Sequence, residues 1–167
     1  MTRWNASRYD LARLLTTLLG RSVRVALADP QPFPEDRDGF CATYVDDEGI
    51  LEATCHLELS LAAAAGCALS LLSPNLVEDA VTARDIAPPL FENILEICNV
   101  LAVAKNGPGL PHVTLDTLVR TPRDLSKELR TVLHTMPVAS TLRVHIENYG
   151  DGLLGLRARS GGESQER

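Results

Sequence analysis

Aromatic residues are scarce in this sequence. Three Phe, three Tyr and one Trp make up 4 % of its 167 residues, so a core has to be assembled from Leu, Val, Ile and Ala. Cations are also in the minority: 16 Lys and Arg stand against 22 Asp and Glu, a formal net charge of −6. That balance argues against a general nucleic-acid or anionic-membrane surface, since both need clustered Lys and Arg. The longest apolar run, LSLAAAAGCALSLL, is shorter than the ~20 residues that span a bilayer. The opening MTRWNASRYD has no apolar signal-peptide core. A cytoplasmic protein that does not enter a membrane is the expectation. Cysteine pairing is absent too: Cys41, Cys55, Cys67 and Cys98 stand singly in apolar surroundings with no C-x-x-C spacing. Buried reduced thiols are expected, with a disulfide pair or a zinc site as the alternative. There is no G-x-S-x-G elbow for a serine nucleophile.

The composition that remains is globular, 45 % hydrophobic and 23 % charged, and the length suits one domain. We place that domain at residues 1–160, with residues 161–167 expected to be a disordered tail. Ser7 caps a first helix whose Leu11, Leu14, Leu15 and Leu18 share a face and whose stop is Gly20. Val23, Val25 and Leu27 then alternate inward as a strand. After a Pro-rich acidic loop comes FCATYVDD, a turn, and the clearest alternation in the chain. Leu51, Ala53, Cys55, Leu57 and Leu59 face one way, while Glu52, Thr54, His56 and Glu58 face the other. One side of the sheet is therefore expected covered and the other wet, as in an antiparallel meander.

Ser60 is expected to cap an Ala-rich helix, and a shorter helical piece, SPNLVEDAVTAR, follows. Asp85 is expected to cap a helix that tolerates Pro88 and Pro89 and ends near Lys105, before NGPG. HVTLDTLVRTP reads as a strand, whereas RDLSKELRTVLHTM fits either helix or strand. The chain closes on a hairpin that sets Leu142, Val144 and Ile146 against Leu154, Leu156 and Ala158. The fold class is α+β.

One helix poses a chemical question. In PPLFENILEICNVLAVAKNGPG, Glu92, Glu96 and Asn99 fall four and then three residues apart and line one edge of an otherwise apolar rod. Two carboxylates four apart repel by a few tenths of a kcal/mol, and no Lys or Arg stands one turn away to relieve them. A solvated helix face is one explanation. A carboxylate-bridged metal site is another, but helical di-metal sites want Glu-x-x-His pairs, and His56, His112, His134 and His145 are scattered. The third is a docking surface. Arg120, Arg123, Lys127 and Arg130 form a modest positive cluster further along, either solvated surface or an aid to docking an acidic partner.

The pattern E-x-x-N followed after 22 residues by Pro is present as Glu96, Asn99 and Pro122. Here the chain resembles the CheC/CheX/FliY family of chemotaxis phosphatases, over roughly residues 7–158. That family's signature is Asp or Ser, three residues, Glu, two residues, Asn, 22 residues, Pro. The first helix carries no second E-x-x-N, so the resemblance is closest to the single-site CheX branch. It implies a CheX-like fold, a largely antiparallel sheet with long helices packed on one face. It implies hydrolysis of the aspartyl phosphate of a phosphorylated CheY-type response regulator. Asn99 would orient the attacking water, Glu96 would pair with the regulator's lysine, Glu92 would add to docking, and Pro122 would be structural. No cofactor of its own is implied, because the Mg2+ belongs to the regulator; a homodimer is implied. The sequence departs from the pattern at Glu92, which replaces Ser or Asp, and in the helix tail, where Val103 takes the usual Gly position and Asn106-Gly107-Pro108 cuts the helix. A catalytically degenerate module that binds a regulator or oligomerises without phosphatase activity is the alternative.

Overall fold

The chain's first helix, α1 (Arg8–Leu19), has both of its ends set by local chemistry. Ser7 and Asp10 form a reciprocal capping box, and Gly20 stops the helix in the left-handed region, at φ 66. These elements come from a computed structural model, which describes residues 4–31 and 34–160. The expected tail, 161–167, lies outside the described residues. Strand β1 (Val23–Leu27) follows α1, and a 3-10 turn (Pro34–Asp36) precedes β2 (Gly39–Val45) and β3 (Leu51–Glu58). Helices α2 (Leu59–Leu69), α3 (Asn75–Ala83) and α4 (Pro88–Lys105) come next. The chain ends with β4 (Thr114–Thr121), α5 (Lys127–Thr135), β5 (Val138–Ile146) and β6 (Gly150–Ala158).

All strand pairs are antiparallel, and the six strands lie in the order β1-β5-β6-β3-β2-β4. The terminal hairpin thus fills the gap between the first strand and the rest of the sheet. The main core lies on one face: Leu11 and Leu15 of α1 and Ile94, Ile97 and Leu101 of α4 pack with Ala42, Cys55, Leu57, Leu142 and Leu156 of the strands. Helix α2 is buried all round except at Ser60 and Leu69, as a helix wedged between a sheet and other helices must be. Its small side chains let α4 approach closely enough for Asn93 to donate to the Gly66 carbonyl at 2.9 Å and to Ser70 Oγ at 2.6 Å. The four cysteines are all buried free thiols. No single helix among the described residues is long and apolar enough to cross a membrane.

Several local expectations are corrected. The polar phase of β3 is not wet: Thr54 is 1 % and His56 3 % exposed. The stretch 127–135 is helical, capped by Ser126, and it brings buried Leu133 and Met136 outside the main core cluster. On that second face Arg157, which is paired with Thr54 across the strands, donates to the Met136 carbonyl and to Glu35 Oε1, at 2.9 Å and 2.7 Å. A buried ion pair and a short helix therefore roof the side left open in the sequence reading. Leu27 points outward at 66 % exposure, because β1 is an edge strand. Ser60 is not a cap; the residue before α2 is Glu58, whose carboxylate instead accepts from the Leu153 N–H. In the hairpin Leu142 does face Leu154, but Val144 faces Gly152 and Ile146 faces Gly150.

Candidate functional site

Helix α4 begins at Pro88 after Ala87, with no side-chain cap. Prolines at the first positions have no N–H to leave unsatisfied, so the missing cap costs little. Asp85, expected as the cap, is engaged elsewhere: its Oδ1 accepts from the Ile86 N–H at 2.7 Å, and it pairs with Arg120 on β4. Both interactions hold its carboxyl below the usual carboxylate range, the backbone hydrogen bond first.

The helix is then fastened along its length. Phe91 packs against Phe40 with ring centroids 5.9 Å apart. Ile94, Ile97, Cys98 and Leu101 are fully buried, and the Tyr44 hydroxyl donates to the Cys98 carbonyl at 2.7 Å. At the far end Asn106 closes the NGPG turn like a strand partner, accepting from the Val113 N–H at 2.7 Å and donating to its carbonyl at 3.0 Å. The Ala6 N–H reaches the Ala104 carbonyl at 2.9 Å. What is left facing outward is a single file.

That file consists of Glu92, Glu96 and Asn99, all exposed, and it continues into Val103 at 63 % exposure. Leu95 and Val100 flank it, half-buried. The side chains of Glu92, Glu96 and Asn99 make no hydrogen bond or ion pair with any described residue. Lys105, the only cation of the helix, is buried, and burial lowers its ammonium pKa. The structure thus brings three of the four motif residues together on one rigid surface.

Pro122 belongs to a different segment of the chain. It is half-buried just after β4, in a turn where the Asp124 N–H reaches the Arg120 carbonyl at 2.9 Å. The Thr121–Pro122 peptide is cis. The altered helix tail does not break α4, which runs unbroken to Lys105. Val103 adds an apolar group to the exposed file. Sequence reading treated Val103 only as a departure, although its spacing of four from Asn99 already placed it on the same edge.

The chemistry open to this file is limited. Cys98, the neighbour of Asn99, has its thiol pushed up to about 12 by burial, so it is no nucleophile. No three His, Cys, Asp or Glu come together among the described residues, so Glu92 and Glu96 have no third ligand for a metal. In the positive cluster expected around Pro122, Arg120 pairs with Asp85 and Arg130 with Asp36, whereas Arg123 comes only within 3.8 Å of Asp124. What remains is a carboxamide and two carboxylates, fixed by the helix behind them and without a partner among the described residues.

No family model matches the sequence, and no curated protein matches it. Solved structures do. The chain is similar to the FliM middle domain of Vibrio alginolyticus at 9 % identity, with 91 % of this chain and 88 % of that one covered and a TM-score of 0.60. It is similar to Thermotoga maritima FliY at 10 % identity, 89 % and 82 % coverage and a TM-score of 0.56. FliM from a FliM–SpeE complex of H. pylori matches at 10 % identity, 91 % and 81 % coverage and a TM-score of 0.55. At such identities the likeness is one of architecture. The chain has the fold of the CheC/CheX/FliY group, with its helices and antiparallel sheet in the expected arrangement.

Proposed function

We propose that this protein is a CheX-like phosphatase that removes the phosphoryl group from the aspartate of a CheY-type response regulator. The observation that carries the reading is the Glu96–Asn99 pair, exposed and without a partner among the described residues, on a helix fastened along its opposite face. An acyl phosphate is already labile, so the catalyst has to align a water and exclude others. Asn99 can both donate to and accept from such a water. The water's oxygen bonds to phosphorus as the bond from phosphorus to the aspartyl oxygen breaks. The products are inorganic phosphate and the regulator's carboxylate. A carboxamide suits this orienting role, as the glutamine of small GTPases does. Glu96, one turn earlier, is placed to pair with a cation beside the phosphoryl group, and Glu92 extends the acidic edge towards the partner. The Mg2+ of the reaction is the regulator's.

A second reading is favoured by two particular observations. Two of the three neighbours named above are FliM domains, one of them solved in complex with SpeE, and Val103 puts an exposed apolar group beside the polar pair. Under that reading α4 is a docking face without turnover, or a surface for pairing two copies.

The two separate in one assay. Receiver domains charged with acetyl phosphate in Mg2+ are mixed with wild-type protein, Asn99→Ala and Glu96→Ala, and loss of the phosphoryl group is followed. The catalytic reading expects wild type to accelerate decay and Asn99→Ala to lose about 100-fold of that acceleration. It expects Glu96→Ala to act mainly through weaker association. Equal decay with wild type, Asn99→Ala and buffer, despite measurable binding, would leave the docking module. Sedimentation of the free protein reads the homodimer that the resemblance implies.

A further inference from the structure

We propose a second ligand site, for a small organic anion, in the cleft between the α3–α4 connection and the ends of β2 and β4. This goes beyond the phosphatase reading and does not depend on it. The cleft encloses about 380 Å³, within the range of small-molecule sites. Phe40, Leu59 and Ile86 supply apolar surface, and Arg84, Arg120 and Arg123 stand around it. Beside these three cations the lining holds Asp38 and Asp85, and Asp124 lies 3.8 Å from Arg123.

The carboxylates orient the arginines more than they consume them. Arg84 Nε donates to Asp38 Oδ2 at 2.7 Å, leaving its two terminal nitrogens without a described acceptor. Arg120 is held three ways: by Asp85, by the Ile86 carbonyl at 3.1 Å, and by the Phe40 ring, whose centroid lies 5.8 Å from its guanidinium carbon. Arg123 makes a long contact of 3.8 Å with adjacent Asp124 and lies near enough to Asp85 to help keep that carboxyl ionised. A guanidinium fixed on one edge and open on the other matches a carboxylate or phosphoryl group.

The backbone at Arg84 points the same way. Arg84 ends α3 in the left-handed region, at φ 52 and ψ 36, where glycine is the unstrained choice. An arginine at a position that favours glycine is explained if its side chain is needed there.

The test is a titration of the 15N-labelled full chain with phenyl phosphate, benzoate and inorganic phosphate, followed at the amides of Gly39, Ile86, Thr121 and Arg123. We expect saturable shifts at these amides with phenyl phosphate or benzoate, the tighter of the two identifying the head group, and weaker binding of inorganic phosphate. Arg84→Gly keeps a residue at ease in the left-handed region, so it should preserve the melting temperature while weakening binding about tenfold. Arg123→Gln should weaken it similarly. The proposal fails if none of the three probes saturates at millimolar concentration. It fails equally if Arg84→Gly and Arg123→Gln both bind as wild type does, or if inorganic phosphate binds as tightly as phenyl phosphate.

Discussion

His56 illustrates how far a single side chain's surroundings can depart from its sequence pattern. It sits in the polar phase of β3, yet it is sealed beneath the segment that carries Arg37 and Glu35. Its Nε2 lies 2.9 Å from Thr121 Oγ1, and that hydroxyl donates to the Arg37 carbonyl at 2.8 Å. The hydroxyl has one hydrogen, so the imidazole Nε2 must be the donor to it. Burial, with the nearby Arg37 charge, lowers the His56 pKa to about 3 from an ordinary 6.5. Between those values the unfolded chain binds a proton that the folded chain does not. Stability therefore declines as pH falls through this window, by about 1.4 kcal/mol per pH unit. Urea midpoints at pH 7, 6 and 5 should drop steadily for wild type, and His56→Gln should flatten that limb. Asp10 and Asp85 have depressed carboxyl pKa values; their contribution is present above the ordinary carboxylate pKa and is lost only in stronger acid. An identical slope in wild type and His56→Gln would refute the assignment. Alternation placed His56 correctly on its face. It did not reveal the roof, because the covering groups Glu35 and Met136 come from loop and helix segments distant along the chain.

At the scale of elements, α4 is the instructive case, since its two faces should answer mutation in opposite ways. Ile94 is fully buried in the core, beside Gly66 of α2, so Ile94→Ala should cost about 3 kcal/mol in chemical denaturation, the usual range for emptying such a site. Asn99→Ala removes an exposed side chain with no partner among the described residues and should stay within about 0.5 kcal/mol of wild type. A destabilisation by Asn99→Ala comparable to that by Ile94→Ala would mean that the amide is structural, and the functional reading of the file would fall with it. The ends of α1 and α4 were legible because Ser7, Asp10, Gly20 and the NGPG turn act within a few residues of where they stand. The start of α4 was misjudged because Asp85 is drawn to Arg120, a partner 35 residues later. The stretch 127–135 was ambiguous for a related reason. Its Ser126 cap is local, but what buries Leu133 and Met136 is the far side of a sheet whose strands lie elsewhere in the chain. The edge of α4 itself was fully readable, because helical spacing alone sets it.

For the whole molecule the strand order makes the fold depend on both ends of the chain at once. Strand β1 touches the sheet only through β5, and β5 reaches β3 only through β6. The N-terminal elements therefore have no sheet to join until the final hairpin is in place. Trp4 tightens this dependence. It is buried, its Nε1–H donates to the Arg157 carbonyl of β6 at 3.0 Å, and its ring meets Tyr44 of β2 edge-on at 5.7 Å. The same Arg157 holds Glu35 and the end of α5 on the opposite face, so one residue of the central strand ties both layers. Partial unfolding of the N-terminal segment would strip a buried donor of its acceptor and open the core at Tyr44, which a cooperative fold resists. Trp4 is the only tryptophan in the sequence, so its emission reports this junction without interference. Emission and far-UV circular dichroism should change along one curve in guanidinium, with a single midpoint. If the emission shifts at lower denaturant while the helical signal persists, then the N-terminal segment opens independently of the sheet. The file on α4, which is tied to that segment through Ala6 and Ala104, would then be held less firmly than a positioned water requires.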